Sequence, residues 1–140
     1  MESDLPTELD RRLASLWRVV GRGGYADLSR TATSVLAGLR DSGPQRVTAL
    51  AEAEGVAQPS MTTLLGRLER RGLVERGPDP DDARAVRVAI TDQGREALEA
   101  RRAARVALLA QRLEVLDAGE REQLLAALPV LDKLTEGSPS

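Results

Sequence analysis

Apolar residues recur every three or four positions along most of the chain, and this spacing predicts a mainly α-helical protein. The predicted helices cover, in chain order, residues 6–20, a segment from about Ser29 to the Asp41-Ser42-Gly43-Pro44 loop, 48–54, 58–71, a long segment from Thr91 to about Val115, and a last segment after Asp117. Ser29 and Thr91 stand where helix N-caps are expected, and Asp117 with Glu120 resembles a capping box. Pro129 lies inside the leucine stripe of the last helix and should kink it.

Two short segments, 73–76 and 86–90, are predicted strands, the second because Val86, Val88 and Ile90 alternate with other residues. Residues 77–85 between them are rich in Pro and Asp and too numerous for a tight hairpin, so they are expected to protrude as a loop. Upstream, only Gly55-Val56-Ala57 separates the third and fourth helices. The pattern therefore predicts a helix-turn-helix followed by a small β-wing.

Composition narrows the possible chemistry. At 140 residues the chain is about one domain long, and it contains no cysteine and no histidine. Disulfides, thiolate nucleophiles, imidazole bases and common zinc sites are thereby excluded. No glycine-rich phosphate loop is present, and the aspartates near residue 80 lack the further ligands of a calcium loop. We therefore expect neither an enzyme nor a cofactor or metal, and, without a leader or a membrane span, a cytoplasmic protein.

The fourth helix offers a polar face to a partner. Met61, Leu64, Leu65 and Leu68 share one face, which we expect in the core. The opposite face carries short hydroxyl groups, arginines and Gly66, which can approach a major groove and hydrogen-bond base edges and phosphates. Local charge adds little, because residues 58–90 contain six Arg and five acids, a net of +1.

Motifs in a fixed order along the chain identify a family. They are Leu28-Ser29 leading into Val35-Leu36 and Leu39, then Leu50-Ala51, Gln58-Pro59-Ser60-Met61-Thr62-Thr63-Leu64-Leu65-Gly66-Arg67-Leu68-Glu69, Arg71-Gly72-Leu73-Val74-Glu75-Arg76, Asp79-Pro80-x-Asp82-x-Arg84 and Ile90-Thr91-x-x-Gly94. Through them the chain resembles the MarR family of bacterial winged-helix transcriptional regulators over roughly residues 10–134. The combination of Leu-Val-Glu-Arg, Asp-x-Arg and hydrophobe-Thr-x-x-Gly makes the resemblance specific.

The resemblance implies a winged helix-turn-helix domain plus a helical dimerisation region from the N- and C-terminal helices. Residues 1–27 would form the N-terminal dimerisation helix, 28–91 the DNA-binding domain, 92–135 the C-terminal dimerisation helices and 136–140 a disordered tail. The implied function is sequence-specific transcriptional regulation, as a repressor. A homodimer would bind a pseudo-palindromic operator in double-stranded DNA and be released by a small aromatic or lipophilic effector.

The resemblance also assigns residue roles. The fourth helix becomes the recognition helix, Arg84 reaches from the wing into the minor groove, and Asp82 helps to hold the wing. An arginine there meets the concentrated negative potential of a narrow minor groove, which would explain a lone arginine among aspartates. The expected DNA-binding residues are Gln58, Pro59, Ser60, Thr62, Thr63, Arg67, Arg70, Asp82 and Arg84.

Several points depart from the family or stay open. Ala57 stands where the family usually has a Ser or Thr cap, and the sensing cysteine of the peroxide-responsive branch is missing. Trp17 and Tyr25, the only aromatic residues, are near the segment that would line an effector cleft, although a Trp in the first helix can equally belong to the core or a dimer interface. The alternative function is a winged helix that contacts only other proteins.

Overall fold

The computed structural model describes residues 4–21 and 28–136, and within them the chain forms six helices and one three-stranded antiparallel sheet. The elements are α1 (Leu5–Val20), α2 (Arg30–Ser42), β1 (Gln45–Arg46), α3 (Val47–Glu54), α4 (Gln58–Arg70), β2 (Val74–Pro78), β3 (Val86–Ile90), α5 (Asp92–Leu113) and α6 (Ala118–Glu136). The predicted fold class, mainly α with a small β-wing, is confirmed.

Helix ends follow the predicted capping residues. Ser29 Oγ accepts a hydrogen bond from the Ala32 N–H at 3.1 Å at the start of α2. The capping box before α6 is complete: Asp117 Oδ1 accepts from the Glu120 N–H at 2.8 Å, and Glu120 Oε1 accepts from the Asp117 N–H at 3.1 Å. These side chains satisfy backbone donors that a helix cannot satisfy itself, so local sequence sets where α2 and α6 begin.

The helix-turn-helix consists of α3 and α4, joined through Gly55. This glycine has φ of +64°, a left-handed conformation that other residues adopt at a cost. The strands differ from the prediction in three respects. β2 begins at Val74, one residue after the predicted start, and extends to Pro78, two residues beyond the predicted end. β1 was not predicted. β1 lies beside β3, so the sheet order is β1-β3-β2.

The core lies between α2, α3, α4, the sheet and the first turns of α5. Its fully buried large side chains are Val35, Leu36, Leu39, Met61, Leu65, Leu68 and Val88. The predicted inner face of α4 is confirmed, with Leu64 only partly buried. A tight core of aliphatic side chains fixes the orientation of α4 and leaves its other face to solvent.

The start of α5 explains the hydrophobe-Thr-x-x-Gly motif. Thr91 Oγ1 accepts from the Gly94 N–H at 3.0 Å and donates to the Gly72 carbonyl at 2.6 Å, so one hydroxyl caps α5 and ties it to the end of α4. A Cβ at Gly94 would lie 2.2 Å from the Leu73 carbonyl oxygen. Only glycine lets α5 approach this closely.

The chain divides into two compact units, one up to Arg105 and one from Val106 onward. In the first unit, Leu13 and Leu16 of α1 are exposed. In the second unit, α6 continues through Pro129 as a single helix and buries none of its residues. Its predicted stripe of Leu124, Leu128, Leu131 and Leu134 is exposed. Among the described residues, no helix combines the length and apolar character needed to cross a bilayer.

Candidate nucleic-acid interface

The polar face of α4 is open to solvent. Its exposed residues are those expected to contact DNA: Gln58, Pro59, Ser60, Thr62, Thr63, Arg67 and Arg70. Ala57 is the N-cap residue and supplies no side-chain cap, as its lack of a hydroxyl predicted. The N-terminus of α4 therefore combines exposed small side chains with backbone N–H groups suited to an anion.

Gly66 and the two arginines shape the second half of this face. A Cβ at Gly66 would meet only the Arg70 guanidinium, at 3.7 Å, so the absent side chain leaves the surface low. Arg67 and Arg70 also border a groove of about 370 Å³ that runs between α4 and the start of α2. The two arginines are thus exposed and lie beside the start of α2.

The tip of the wing presents Arg84. Its guanidinium forms no hydrogen bond or ion pair with any residue that the structure describes, the neighbouring aspartates included. Asp82 holds the backbone instead, because its Oδ1 accepts from the Arg84 N–H at 2.9 Å. The arginine is therefore presented on a closed turn with its charge unused.

The base of the wing contains a buried carboxylate that the sequence did not reveal. The Asp79 side chain is 0% exposed, and its Oδ2 accepts from Arg46 Nε at 2.7 Å and from Arg87 Nε at 3.1 Å. Its Oδ1 accepts from the Asp81 N–H at 2.8 Å. These donors, Arg46 foremost, hold the pKa of Asp79 well below its usual range. The sequence places Asp79 first among the three acids of the wing, directly before Pro80, but this position alone does not distinguish a buried carboxylate from an exposed one.

A further ion pair links the wing to α4. Arg76 Nε of β2 lies 3.2 Å from Glu69 Oε2 near the end of α4. Both side chains are partly exposed, so the pair contributes little to stability. It does orient the outer edge of β2 against α4, so the two elements are joined by both packing and charge.

Trp17 lines a cleft of about 720 Å³ within the first unit. The guanidinium carbon of Arg30 lies 5.5 Å from the centroid of the Trp17 ring, a cation–π distance. Arg101 closes the cleft on another side and donates to the Leu28 carbonyl at 3.0 Å. Arg18 and Asp10 complete the charged lining. Tyr25, the other expected effector residue, lies outside the described residues.

These features define a winged helix-turn-helix DNA-binding protein, and comparison with known proteins agrees. The family model described as MarR family matches residues 28–86. Mb0904, an uncharacterized HTH-type transcriptional regulator of Mycobacterium bovis, is 36% identical over 118 residues, which cover 84% of this chain and 82% of that protein. The chain belongs to the MarR family of transcriptional regulators, which bind DNA and are not enzymes.

Solved structures share the fold over nearly the whole chain. The transcriptional regulator Tm0710 of Thermotoga maritima matches with a TM-score of 0.80 at 27% identity, over 96% of both chains. A mutant of S. aureus MepR bound to an oligodeoxyribonucleotide matches with a TM-score of 0.67 at 22% identity, over 91% of this chain and 96% of that one. The fold is thus the same in a protein captured with DNA.

Proposed function

We propose that this regulator is a homodimeric repressor that binds a pseudo-palindromic operator and is released by a small-molecule effector. The observation that carries the proposal is the unpaired Arg84 guanidinium on the wing. The wing directly follows α4, whose polar face is open to solvent. A cation kept free of the three neighbouring carboxylates is available for a phosphate-rich groove.

The two elements would divide the reading of DNA. Small side chains at the start of α4, with Arg67 and Arg70, would lie in the major groove, where donors and acceptors distinguish all base pairs. Arg84 would enter the adjacent minor groove and respond to its width and potential. The oligodeoxyribonucleotide bound by the MepR mutant supports this use of the fold. Asp82 would keep the turn closed around Arg84.

The apolar surfaces of α1 and α6 support a homodimer. Leu13 and Leu16 on α1, and the leucine stripe of α6, stay exposed in the single chain. Contiguous apolar residues of this kind are typical of protein–protein interfaces. Since two recognition helices one DNA turn apart require two copies, dimerisation through these helices would also set the operator's symmetry.

The Trp17 cleft supports an effector that is aromatic and anionic. Its volume lies in the range of small-molecule sites. Three arginines, Arg18, Arg30 and Arg101, line it against one acid, Asp10, so its charge favours a carboxylate or a similar anion. The exposed part of the Trp17 ring offers a stacking surface. Because the chain has no cysteine, the effector would act by reversible binding.

The test is the effect of Arg84→Ala on DNA binding. A duplex selected from a random library by the parent protein, and a scrambled duplex, are titrated with each protein at several salt concentrations. We expect a loss of about 1–3 kcal/mol per lost contact, hence a few kcal/mol per dimer, with the circular dichroism spectrum unchanged. Arg102→Ala, which removes the same charge from an exposed position of α5, is the control.

Two results would count against the proposal. If Arg84→Ala binds the selected duplex as tightly as the parent at every salt concentration, the wing does not contact DNA. If the parent protein retains no duplex from the library even at low salt, the alternative of a winged helix that contacts only proteins is favoured.

A further inference from the structure

The buried carboxylate of Asp79 joins three parts of the wing. It accepts from Arg46 on β1, from Arg87 on β3 and from the backbone of Asp81 in the turn. Among the described residues it is the only charged side chain that is buried. Burial of a carboxylate is costly unless its oxygens accept hydrogen bonds, and here both oxygens have donors.

The strand register explains why a negative charge is needed at this point. Arg46 and Arg87 are direct cross-strand neighbours in the β1–β3 pair. Like charges in that relation repel each other and destabilise the pairing of the two strands. Asp79 Oδ2 contacts the Nε atoms of both, so one carboxylate neutralises the repulsion and holds β1 against β3. Arg46 immediately precedes α3, and the wing is thereby tied to the helix-turn-helix.

Hydrogen bonds lead from Asp79 to the DNA-facing tip. The Asp79 N–H donates to the Ala85 carbonyl at 3.2 Å, and the Ala85 N–H donates to the Asp82 carbonyl at 3.0 Å. Asp82 Oδ1 then holds the Arg84 N–H. A short chain of hydrogen bonds therefore connects the backbone of Arg84 to that of Asp79.

We propose that Asp79 is a positioning residue for DNA recognition: it fixes the wing on β1 and β3 so that Arg84 is presented at the correct place for the minor groove. This proposal rests on the proposed DNA-binding function and adds a residue to it. Asp79 touches no DNA and acts only through the placement of Arg84.

The test compares Asp79→Asn with Asp81→Asn. Both substitutions remove one negative charge from the wing, which by itself strengthens binding to DNA. Asp81 is the matched control because its side chain is 81% exposed. Its ion pair with Arg87, at 3.6 Å, is longer than both ion pairs of Asp79. A positioning role predicts weaker binding for Asp79→Asn, the opposite sign to the charge effect, and no loss for Asp81→Asn.

The readout is the preference for a narrow minor groove. Two versions of the selected duplex carry either A-tracts or G·C pairs where the wings would lie, and the ratio of their dissociation constants is measured for each protein. A-tracts narrow the groove and favour an inserted arginine. We expect Asp79→Asn to lose roughly tenfold in affinity for the A-tract duplex and to reduce the ratio to that of Arg84→Ala. In the double variant that combines Asp79→Asn with Arg84→Ala, Asp79→Asn should cause no further loss of affinity for the A-tract duplex.

The outcomes separate positioning from a general structural role. Equal losses on both duplexes that add to the effect of Arg84→Ala would overturn the proposal, as would an unchanged ratio in Asp79→Asn. Should Asp79→Asn fail to fold, Arg46→Gln removes the strongest donor while Asp79 keeps Arg87, and it must lower the same ratio. If the parent and Arg84→Ala both ignore the groove width, the proposed wing function itself has failed, which is a distinguishable result.

Discussion

Replacing Leu128 on α6 with glutamate should convert the proposed homodimer into monomers. In the single chain this side chain is 45% exposed, so the substitution costs the fold of one chain little. In a dimer that covers the leucine stripe, the exposed fraction becomes buried. Full burial of a leucine contributes about 1.5–3 kcal/mol, so this fraction contributes about 1.4–2.7 kcal/mol over the two copies.

The glutamates add a larger effect. Each would have to be buried without an opposite charge, at a cost of several kcal/mol per ion. Together the terms exceed about 5 kcal/mol, which corresponds to more than about a thousandfold in the dimer dissociation constant. Leu128→Ala removes only the apolar part and should weaken the dimer by about tenfold to a hundredfold.

Sedimentation velocity over a range of protein concentrations measures this series. Ala126→Glu is the control, because it adds the same charge at an exposed position of α6 roughly opposite the leucine stripe. It should remain a dimer. A dimer of unchanged dissociation constant for Leu128→Glu would show that this face of α6 is not the interface. Monomeric Ala126→Glu would show that any added charge on α6 is disruptive and that the stripe has no special role.

Two further predictions concern stability. Gly94→Ala should lower the free energy of unfolding in urea by about 1–3 kcal/mol or more, because its Cβ would lie 2.2 Å from the Leu73 carbonyl oxygen. Gly38→Ala, whose Cβ would have nothing within 4 Å, should raise the free energy of unfolding by about 0.5–1 kcal/mol. Equal effects of the two substitutions would refute the close approach at Gly94. The lowered pKa of Asp79 means that its stabilising contribution is fully present above the unfolded pKa, about 3.9, and is lost as the pH falls towards the folded value. The urea midpoint of the parent should therefore exceed that of Asp79→Asn at neutral pH by a margin that shrinks below about pH 4, and a constant margin would contradict this assignment.

The helices could be predicted because their signals are local. Ser29, Thr91 and Asp117 cap helices through atoms only a few residues away, and each cap is present. β1 could not be predicted in this way. Its two residues carry no strand pattern of their own and become a strand only by pairing with Arg87 and Val88, about forty positions along the chain. β2 reaches Pro78 for a similar reason, because Pro78 pairs with Val86 of β3.

The site shows the same division between local and distant information. The exposure of the α4 polar face follows from its periodicity. Asp82 accepts from the N–H of Arg84, only two residues along the chain, so its role is also local. The three aspartates of the wing, however, look alike in sequence. Only the fold brings Arg46, 33 positions upstream, onto Asp79 and leaves Asp81 in solvent. The roles of these two acids differ because of tertiary neighbours, which composition cannot supply.

The path of α2 has a mechanical consequence for any effector. At one end Arg30 packs over Trp17 in the cleft, and further along Leu36 and Leu39 are embedded in the core. Between them, Ser34 Oγ donates at 2.6 Å to Glu54 Oε1, on the last residue of α3 before the turn into α4. A hydrogen-bonded helix of 13 residues bends little, and a packed core does not deform gradually. A molecule that tilts the Arg30 end of α2 would therefore also move α3, and through α3 the proposed recognition helix α4.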